Sequence, residues 1–441
     1  MRVTNARLRG RDGLCDVDID GVRITAITPA AGHAPGSTAD PARTGPADQP
    51  PAEEAPSGDS TTASSDTYDA AGRLIAPQFV ENHLHLDYAN TAGAPRDNLS
   101  GTLFEGIQIW AERKEAGLHR AEEIKANALA AARSAASHGV GYIRTHVDIT
   151  DPTFAAFDAL VELKEEIAPW CHLQLVAFPQ NGMIAYPQGA ALTERALREG
   201  ADVVGGIPHL EPTREDGVAS LHTVFDLAER YDVLVDVHCD EIDDAQSRFV
   251  EVMAAQTTAR SMEGRVTVSH AVAMGYYDPG YLTRLLPGLV KARLGFVVNP
   301  NESLHLQGRG FGAPTPRGIA PARTLTEWGL PVAFGQDSMN DPWYPMGAGD
   351  PLRILDSGLH LAHMLTPEYL ERCLDFVTTN PARNLGLGDD VRLAEGAEAS
   401  FIVLDAEDDA AAVRQKSEVL FSMHRGREVF RRRPAKTRWT V

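Results

Sequence analysis

Residues 233–270 read VLVDVHCDEIDDAQSRFVEVMAAQTTARSMEGRVTVSH. An apolar, β-branched run ends at His238, a segment with apolar residues three and four apart follows, and a second apolar run ends at His270. This alternation predicts a β–α–β unit, in which a helix joins two parallel strands. Because both runs end in histidine, the unit places imidazoles at the carboxyl ends of neighbouring strands.

The same pattern repeats over residues 74–337. Helical patterns such as AEEIKANALAAARSAASHG and LHTVFDLAERYD separate the apolar runs. Eight strand candidates end near His85, Asp148, Gln180, His209, His238, His270, Asn299 and Asp337. Eight strands alternating with helices predict a (β/α)8 TIM barrel, whose catalytic groups converge at the carboxyl ends of the strands.

Strand patterns also occur on both sides of this region. VTNARL and VRITAIT lie within the first 28 residues, and EASFIVLDA and SEVLFSMHRGREVF lie near the carboxyl terminus. We therefore predict a barrel of residues 74–388 and a small β domain formed by residues 1–73 and 389–441.

One segment of the amino-terminal part has a different composition. From Pro29 to Thr67 there is no Val, Ile, Leu, Met, Phe, Trp, Tyr or Cys, whereas seven prolines occur. Such a segment buries too little apolar surface to offset its ordering entropy, so we predict a disordered surface insertion.

Charge and hydropathy narrow the class of protein. The formal net charge of −20 repels phosphate and anionic lipid, which argues against nucleic-acid and membrane-surface partners. No apolar run approaches the roughly 20 residues of a membrane span, and MRVTNARLRGRDG lacks the apolar centre of a secretory signal. The four cysteines form no CxxC pair, so we predict reduced thiols in a cytoplasmic protein.

Histidines and one aspartate at the strand ends suggest a metal site. His83 and His85 are two apart on one predicted strand, so their imidazoles point to the same face. An HxH pair alone is often structural, but His238 and Asp337 end two further strands. Three imidazoles and one carboxylate suit Zn²⁺ or Fe²⁺.

Two further residues suggest acid–base chemistry, and the absence of a bridging lysine suggests a single ion. Glu241 lies three residues beyond His238, where a carboxylate can act as acid and base rather than as an ordinary loop residue. His270 could bind the metal or hydrogen-bond a developing oxyanion, and we favour the second role. No lysine occurs between Lys164 and Lys291 to bridge two ions, which favours one divalent ion.

Eight strings, in order along residues 74–390, resemble the cytosine deaminase group of the amidohydrolase superfamily, the bacterial type with a metal-dependent barrel. They are APQFVENHLHLDYA, SGTLFEGIQIWAERK, VAFPQNG, IPHLEPTREDG, VDVHCDEIDD, TVSHAVAM, HLQGR and DPWYPMG. The resemblance implies hydrolytic deamination of a free nucleobase, cytosine to uracil and ammonia. It also implies a homo-oligomer.

The resemblance assigns roles to the reactive residues. Glu241 would protonate the ring nitrogen beside the attacked carbon. His270 would orient the attacking hydroxide together with Asp337, which would be its general base. One Fe²⁺ or Zn²⁺ would be held by His83, His85, His238 and Asp337.

The resemblance also implies a substrate pocket. Gln180 would hydrogen-bond the pyrimidine carbonyl and ring NH, backbone near Leu103 would hold another ring edge, and Trp343 would form a wall. The alternatives are a polar strand end for Gln180 and a core aromatic for Trp343. We interpret His146 and His209 as structural and leave them outside the catalytic set.

This chain departs from the family pattern after the eighth strand. Where the best-known cytosine deaminases read Gly-His-Asp-Asp, the chain reads GQDS, with Gln336 in place of the histidine and Ser338 in place of the second acid. A smaller, neutral residue makes room for a ring substituent, which leads to the hypothesis that 5-methylcytosine is a substrate and thymine a product.

Other activities fit the same metal centre. Isocytosine, creatinine and N-alkyl triazines are alternative substrates, because the centre attacks a C–N carbon whatever ring carries it. A catalytically inactive barrel kept as a scaffold is a further alternative. The presence of all four candidate ligands argues against it.

Overall fold

A computed structural model describes residues 1–30 and 67–440. The predicted insertion from Pro29 to Thr67 lies almost wholly outside these described residues. Its two end residues are described and belong to strands, since Pro29 ends one strand and Thr67 begins the next.

The described strands form two sheets. The small sheet contains β1 (Arg2–Leu8), β2 (Leu14–Asp20), β3 (Arg23–Pro29), β4 (Thr67–Asp69), β5 (Leu74–Pro77), β14 (Phe401–Leu404), β15 (Val419–His424) and β16 (Arg427–Arg431). The large sheet contains β6 (Phe79–Leu84), β7 (Val140–Asp148), β8 (His172–Phe178), β9 (Val203–Val204), β10 (Leu234–Cys239), β11 (Val266–His270), β12 (Gly295–Val298) and β13 (Val332–Phe334).

The large sheet closes into a barrel. Its strands are parallel and follow chain order from β6 to β13. An isolated bridge joins Leu84 to Asp337, where the amide of His85 donates to the Asp337 carbonyl at 3.2 Å and the Asp337 amide donates to the His83 carbonyl at 2.8 Å. The predicted TIM barrel is therefore confirmed.

Helices connect the strands and pack around them. They are α1 (Leu103–Glu115), α2 (Ala121–Ser137), α3 (Ala155–Ile167), α4 (Gly189–Arg198), α5 (Arg214–Tyr231), α6 (Phe249–Ala259), α7 (Pro279–Ala292), α8 (Pro300–Leu306), α9 (Ala322–Glu327), α10 (Pro351–Leu361), α11 (Pro367–Leu370), α12 (Thr379–Asn384) and α13 (Asp409–Gln415). In the described part of the chain, no helix is long and apolar enough to cross a membrane.

Local sequence explains where these helices begin and end. At α5 the Thr213 side chain accepts a hydrogen bond from the Asp216 amide, and Asp232 ends the helix in a left-handed conformation. At α7 Asp278 caps the first turn and Pro279 occupies the first helical position, where its missing amide hydrogen costs nothing.

The small sheet combines both ends of the chain, as predicted. Its order is β16–β15–β14–β5–β1–β2–β3, with β4 paired to β1. Val3, Val17, Phe401 and Phe421 belong to its separate buried core.

One predicted strand is wrong in detail. The apolar pattern from Leu74 to His85 predicts a single barrel strand, but β5 pairs with β1 and β14 in the small sheet and only β6 enters the barrel. The Gln78 side chain marks the break, donating to the Ser422 hydroxyl at 3.0 Å and lying 2.8 Å from His424 Nδ1. The chain therefore passes from one sheet to the other here.

Candidate functional site

The four predicted metal ligands lie at the carboxyl ends of three barrel strands. His83 belongs to β6 and His85 follows that strand, while His238 belongs to β10. Asp337 comes three residues after β13 ends at Phe334. All four side chains are buried, so the barrel closure brings them to one enclosed place.

The donor atoms of these predicted ligands lie a short distance apart. His85 Nε2 lies 3.0 Å from His238 Nε2. Asp337 Oδ1 lies 3.4 Å from His83 Nε2 and 3.5 Å from His85 Nε2. Atoms about 2.1 Å from a tetrahedral ion are about 3.4 Å apart, so the spacing and the chemistry of these donors fit a divalent ion.

The potential ligand atoms form three overlapping groups, each within 4.8 Å. No one group contains all four predicted ligands, but together they include them all. The groups are His83 with His238 and His270, His83 with His85 and His146, and Glu241 with His270 and Asp337.

Burial sets the protonation of the donors. It lowers the pKa of His85 and His238 well below the usual value, which leaves neutral rings with lone pairs. Burial alone would raise the pKa of Asp337, but His83 and His270 outweigh it, and the Asp337 pKa lies below its usual value. Neutral imidazoles and an ionised carboxylate are the forms that bind a metal.

Glu241 has the opposite protonation state. Burial, and then the Asp337 charge, raise its pKa well above the usual value. Its Oε1 lies 3.5 Å from His270 Nδ1, and burial lowers the pKa of His270 to about 3. A protonated carboxyl and a neutral imidazole therefore lie close to an ionised carboxylate in one buried cluster.

Three polar residues near the site were not predicted to have functional roles. Asn299 donates a hydrogen bond from Nδ2 to Asp337 Oδ2 at 3.1 Å. Glu302 and Asp341 are buried, and burial raises the pKa of Glu302 well above its usual value and that of Asp341 to about 7. The sequence identified Asn299 only as the end of a strand. Its position at a strand end and the nearby Glu302 were the sequence features that could have indicated a functional role.

A series of ring contacts leads away from the predicted metal ligands. The His85 ring lies 4.5 Å from that of Tyr88, which lies 4.4 Å from Trp343. Tyr88 and Trp343 share an apolar cluster with Trp110 and Leu306, against which Leu103 packs. The structure thus brings Leu103 and Trp343 together in an aromatic wall beside His85.

The other two predicted pocket residues, Gln180 and Ser338, are buried. Gln180 lies two residues after β8 ends at Phe178, and its side chain is buried. The Phe178 ring stacks on the His238 ring, with 4.0 Å between the ring centroids. Ser338 directly follows Asp337 and interacts with the carboxyls of Glu302 and Asp341. The neutral Ser338 side chain therefore has two acidic side chains as neighbours.

The histidines left outside the catalytic set differ in position. The His146 ring lies 4.0 Å from His83 and belongs to one of the three donor groups. His209 is partly buried in a short 3₁₀ helix, and burial of its ring lowers its pKa to about 3. The structure therefore places His146 beside the site.

Close packing of the aromatic wall against α1 yields a stability prediction. A Cβ on Gly106 would lie 2.6 Å from the Trp343 ring, so Gly106→Ala should push this ring aside and lower the free energy of unfolding by about 1–3 kcal/mol. Gly288 of α7 has open space around its Cβ position, and Gly288→Ala should instead stabilise by up to about 1 kcal/mol. Denaturant unfolding measures both; equal effects would contradict the prediction.

The sequence matches the model of the Amidohydrolase family over residues 98–430. The crystal structure of 5-methylcytosine deaminase from Klebsiella pneumoniae with 5-fluorocytosine is similar throughout. It is 46% identical, has a TM-score of 0.90, and is aligned over 100% of this chain and 99% of that chain.

Two curated relatives are more distant. N-isopropylammelide isopropyl amidohydrolase of Pseudomonas sp. (strain ADP) is 27% identical, covering 82% of this chain and 87% of its own length. Pterin deaminase of Rhizobium rhizogenes (strain K84 / ATCC BAA-868) is 28% identical, covering 77% of this chain and 76% of its own length.

Proposed function

This chain belongs to the amidohydrolase family, a metal-dependent family, and is a hydrolase acting on C–N bonds; from this premise we propose that it deaminates free pyrimidine bases. The proposed substrates are cytosine and 5-methylcytosine, and the products are uracil or thymine with ammonia.

One observation carries the proposed chemistry. Glu241 and Asp337 belong to one close, buried group of side chains, yet the pKa of Glu241 is raised and the pKa of Asp337 is lowered. Two carboxyls held in opposite protonation states provide an acid and a base at the same pH. Deamination needs both, because one proton must leave water and another must reach the ring.

We assign His83, His85, His238 and Asp337 as the ligands of one divalent ion, Fe²⁺ or Zn²⁺. Such an ion lowers the pKa of water from about 15.7 toward 7 and so supplies hydroxide at neutral pH.

The remaining steps use the residues around this centre. Asp337 takes the proton released by water, and Glu241 gives its proton to ring N3 while hydroxide attacks C4. His270, neutral at this pH, orients the hydroxide and stabilises developing negative charge. Asp337 then passes the proton it took from water to the exocyclic nitrogen, the C4 hydroxyl returns a proton to Glu241 as its carbonyl forms, the C4–N bond breaks, and ammonia leaves.

The proposed pocket uses the buried groups beside the centre. Gln180 hydrogen-bonds the pyrimidine carbonyl and ring NH, and backbone near Leu103 holds another ring edge. Trp343 closes one side of the pocket, supported by its contact with Tyr88.

Ser338 sets the preference between the two bases. Ser338→Asp adds bulk and charge where Ser338 makes room for the 5-methyl group, so the ratio of 5-methylcytosine to cytosine turnover should fall by about 10-fold or more. Ser338→Ala keeps the space and should preserve the ratio. Steady-state kcat/KM values test this, and an unchanged ratio in Ser338→Asp would refute the steric argument.

A related reaction is the second candidate. The Pseudomonas relative, 27% identical, acts by its name on N-isopropylammelide, an N-alkyl triazine. The same acid, base and metal ligands suit the release of an alkylamine from such a ring, so only the pocket decides between the substrates.

Amine release distinguishes these functions: ammonia is measured for the pyrimidines, isocytosine and creatinine, and isopropylamine is measured for N-isopropylammelide. Protein loaded separately with Fe²⁺ and Zn²⁺ is offered cytosine, 5-methylcytosine, isocytosine, creatinine and N-isopropylammelide, with Glu241→Gln as the blank. Turnover of either pyrimidine supports the proposal. Turnover of N-isopropylammelide alone would replace it with the second candidate. A cytoplasmic location and a homo-oligomer stay predictions, and we also predict a role in pyrimidine salvage.

A further inference from the structure

A chain of buried polar groups leads from the barrel interior to His83. Arg144 and Asp236 form an ion pair at 2.8 Å, and both side chains are fully buried. Ser269 Oγ lies 2.6 Å from Asp236 Oδ1 and 2.9 Å from His83 Nδ1. The serine hydroxyl therefore stands between a paired carboxylate and a candidate metal ligand.

The protons in this chain can be counted. Asp236, ion-paired with Arg144, is a carboxylate that only accepts hydrogen bonds, so the 2.6 Å contact requires Ser269 to donate its single proton to Asp236. Ser269 can then meet His83 only as an acceptor, and the 2.9 Å contact requires a proton on His83 Nδ1.

We propose that Ser269 and Asp236 are positioning residues that hold a proton on His83 Nδ1, so that His83 Nε2 offers its lone pair to the ion. This inference rests on the proposed function, because it takes His83 as a metal ligand. Neither Ser269 nor Asp236 is proposed to contact the substrate or the ion directly.

The surroundings of His83 agree with this assignment. Its Nε2 has no hydrogen-bond partner among the described residues and lies 3.4 Å from Asp337 Oδ1. The opposite neutral tautomer would set the Nδ1 lone pair against the oxygen lone pair of Ser269, which would lose a buried hydrogen bond.

Asp236 is fixed from the side opposite Ser269. The Arg144 guanidinium, which pairs with Asp236, also donates to Gln174 Oε1 at 3.0 Å and to the Asn384 carbonyl at 2.9 Å. These contacts anchor Arg144 on two separate parts of the barrel. Arg144 therefore fixes the orientation of the Asp236 carboxylate, and this carboxylate fixes the direction of the Ser269 hydroxyl.

Metal affinity tests the positioning role. Ser269→Ala removes the acceptor of the His83 Nδ1 proton and should weaken Zn²⁺ binding, measured by chelator competition, by about 10- to 100-fold. Ser220→Ala is the matched control, because Ser220 is equally buried but donates to the Gly217 carbonyl inside α5. Equal Zn²⁺ affinities in the two variants, with both folded, would overturn the proposal.

The tautomer can be read without relying on a core variant. In zinc-loaded wild-type protein labelled with ¹⁵N-histidine, His83 should show a protonated Nδ1, its signal being assigned by its loss in His83→Gln. An unprotonated Nδ1 would overturn the proposal even if Ser269→Ala failed to fold.

The outcomes separate this inference from the proposed function. Neither readout involves a nucleobase, so the expected affinity and tautomer with no pyrimidine turnover would contradict only the proposed function. Pyrimidine turnover with an unprotonated Nδ1 would contradict only the positioning role.

Discussion

Glu241→Gln should lower kcat for pyrimidine deamination by about 10²- to 10⁴-fold, the range expected when a general acid is removed. Glutamine has a similar shape but no proton to transfer to N3. Burial keeps Glu241 protonated in the native pocket, so the neutral amide replaces a neutral carboxyl and the fold should be retained. Steady-state kinetics measures the loss, and circular dichroism checks the fold.

Glu251→Gln is a suitable control for this substitution. Glu251 lies in the neighbouring helix α6, where it accepts from the Tyr281 hydroxyl at 2.7 Å and pairs loosely with Arg214 at 3.7 Å. Such partly exposed pairs contribute little, so kcat should hardly change. Near-normal turnover by Glu241→Gln would remove Glu241 from the proposed mechanism.

Asp337→Asn should have an effect at least as large, because Asp337 has two proposed roles. As general base it contributes about 10²- to 10⁴-fold to the rate, and as a ligand it supplies the negative charge of the metal site. Its carboxylate also accepts a hydrogen bond from Asn299. We expect both lower metal affinity and lower kcat.

A metal titration separates these two roles. If Asp337 is only a ligand, saturating Zn²⁺ or Fe²⁺ should restore most of the turnover of Asp337→Asn. If it is also the base, turnover should stay low at full metal occupancy, measured on the same sample by elemental analysis. Restored turnover would transfer the role of base to another group.

The acid and base together predict a pH profile. Turnover needs Glu241 protonated, and since burial raises its pKa, the activity should be lost on the alkaline side, as pH rises through that pKa. Turnover also needs Asp337 ionised, and its lowered pKa places the acidic loss below the usual range of a carboxyl group. The pH dependence of kcat/KM checks both limbs.

The barrel was predictable because its pattern is local and repeated. Each strand run ends in a polar residue, as at His238 and His270, and each is followed by helical spacing. The division at Gln78 was not predictable in this way. Residues 74–85 are apolar enough for one strand, and only pairing with β1 and β14, distant in sequence, assigns Leu74–Pro77 to the small sheet.

The grouping of the candidate site residues was predictable from strand position, whereas their roles stay predictions. His83, His85, His238 and Asp337 end strands that converge in any such barrel. Glu302 was missed because it lies in the short helix α8, where an acid usually faces solvent.

Contacts across the barrel were harder to foresee. The Ser269 contact with His83 joins residues 186 positions apart, and no sequence pattern links them. Side-chain orientation decides such contacts, and only the folded structure supplies it.

The bridge between Leu84 and Asp337 has a consequence for dividing this chain. The backbone hydrogen bonds that close the barrel involve His83, His85 and Asp337, which are also proposed to take part in the reaction. A fragment that stops before Asp337 would lack both this closing bridge and one proposed metal ligand. We therefore expect that neither half of the barrel, produced separately, would keep the proposed activity.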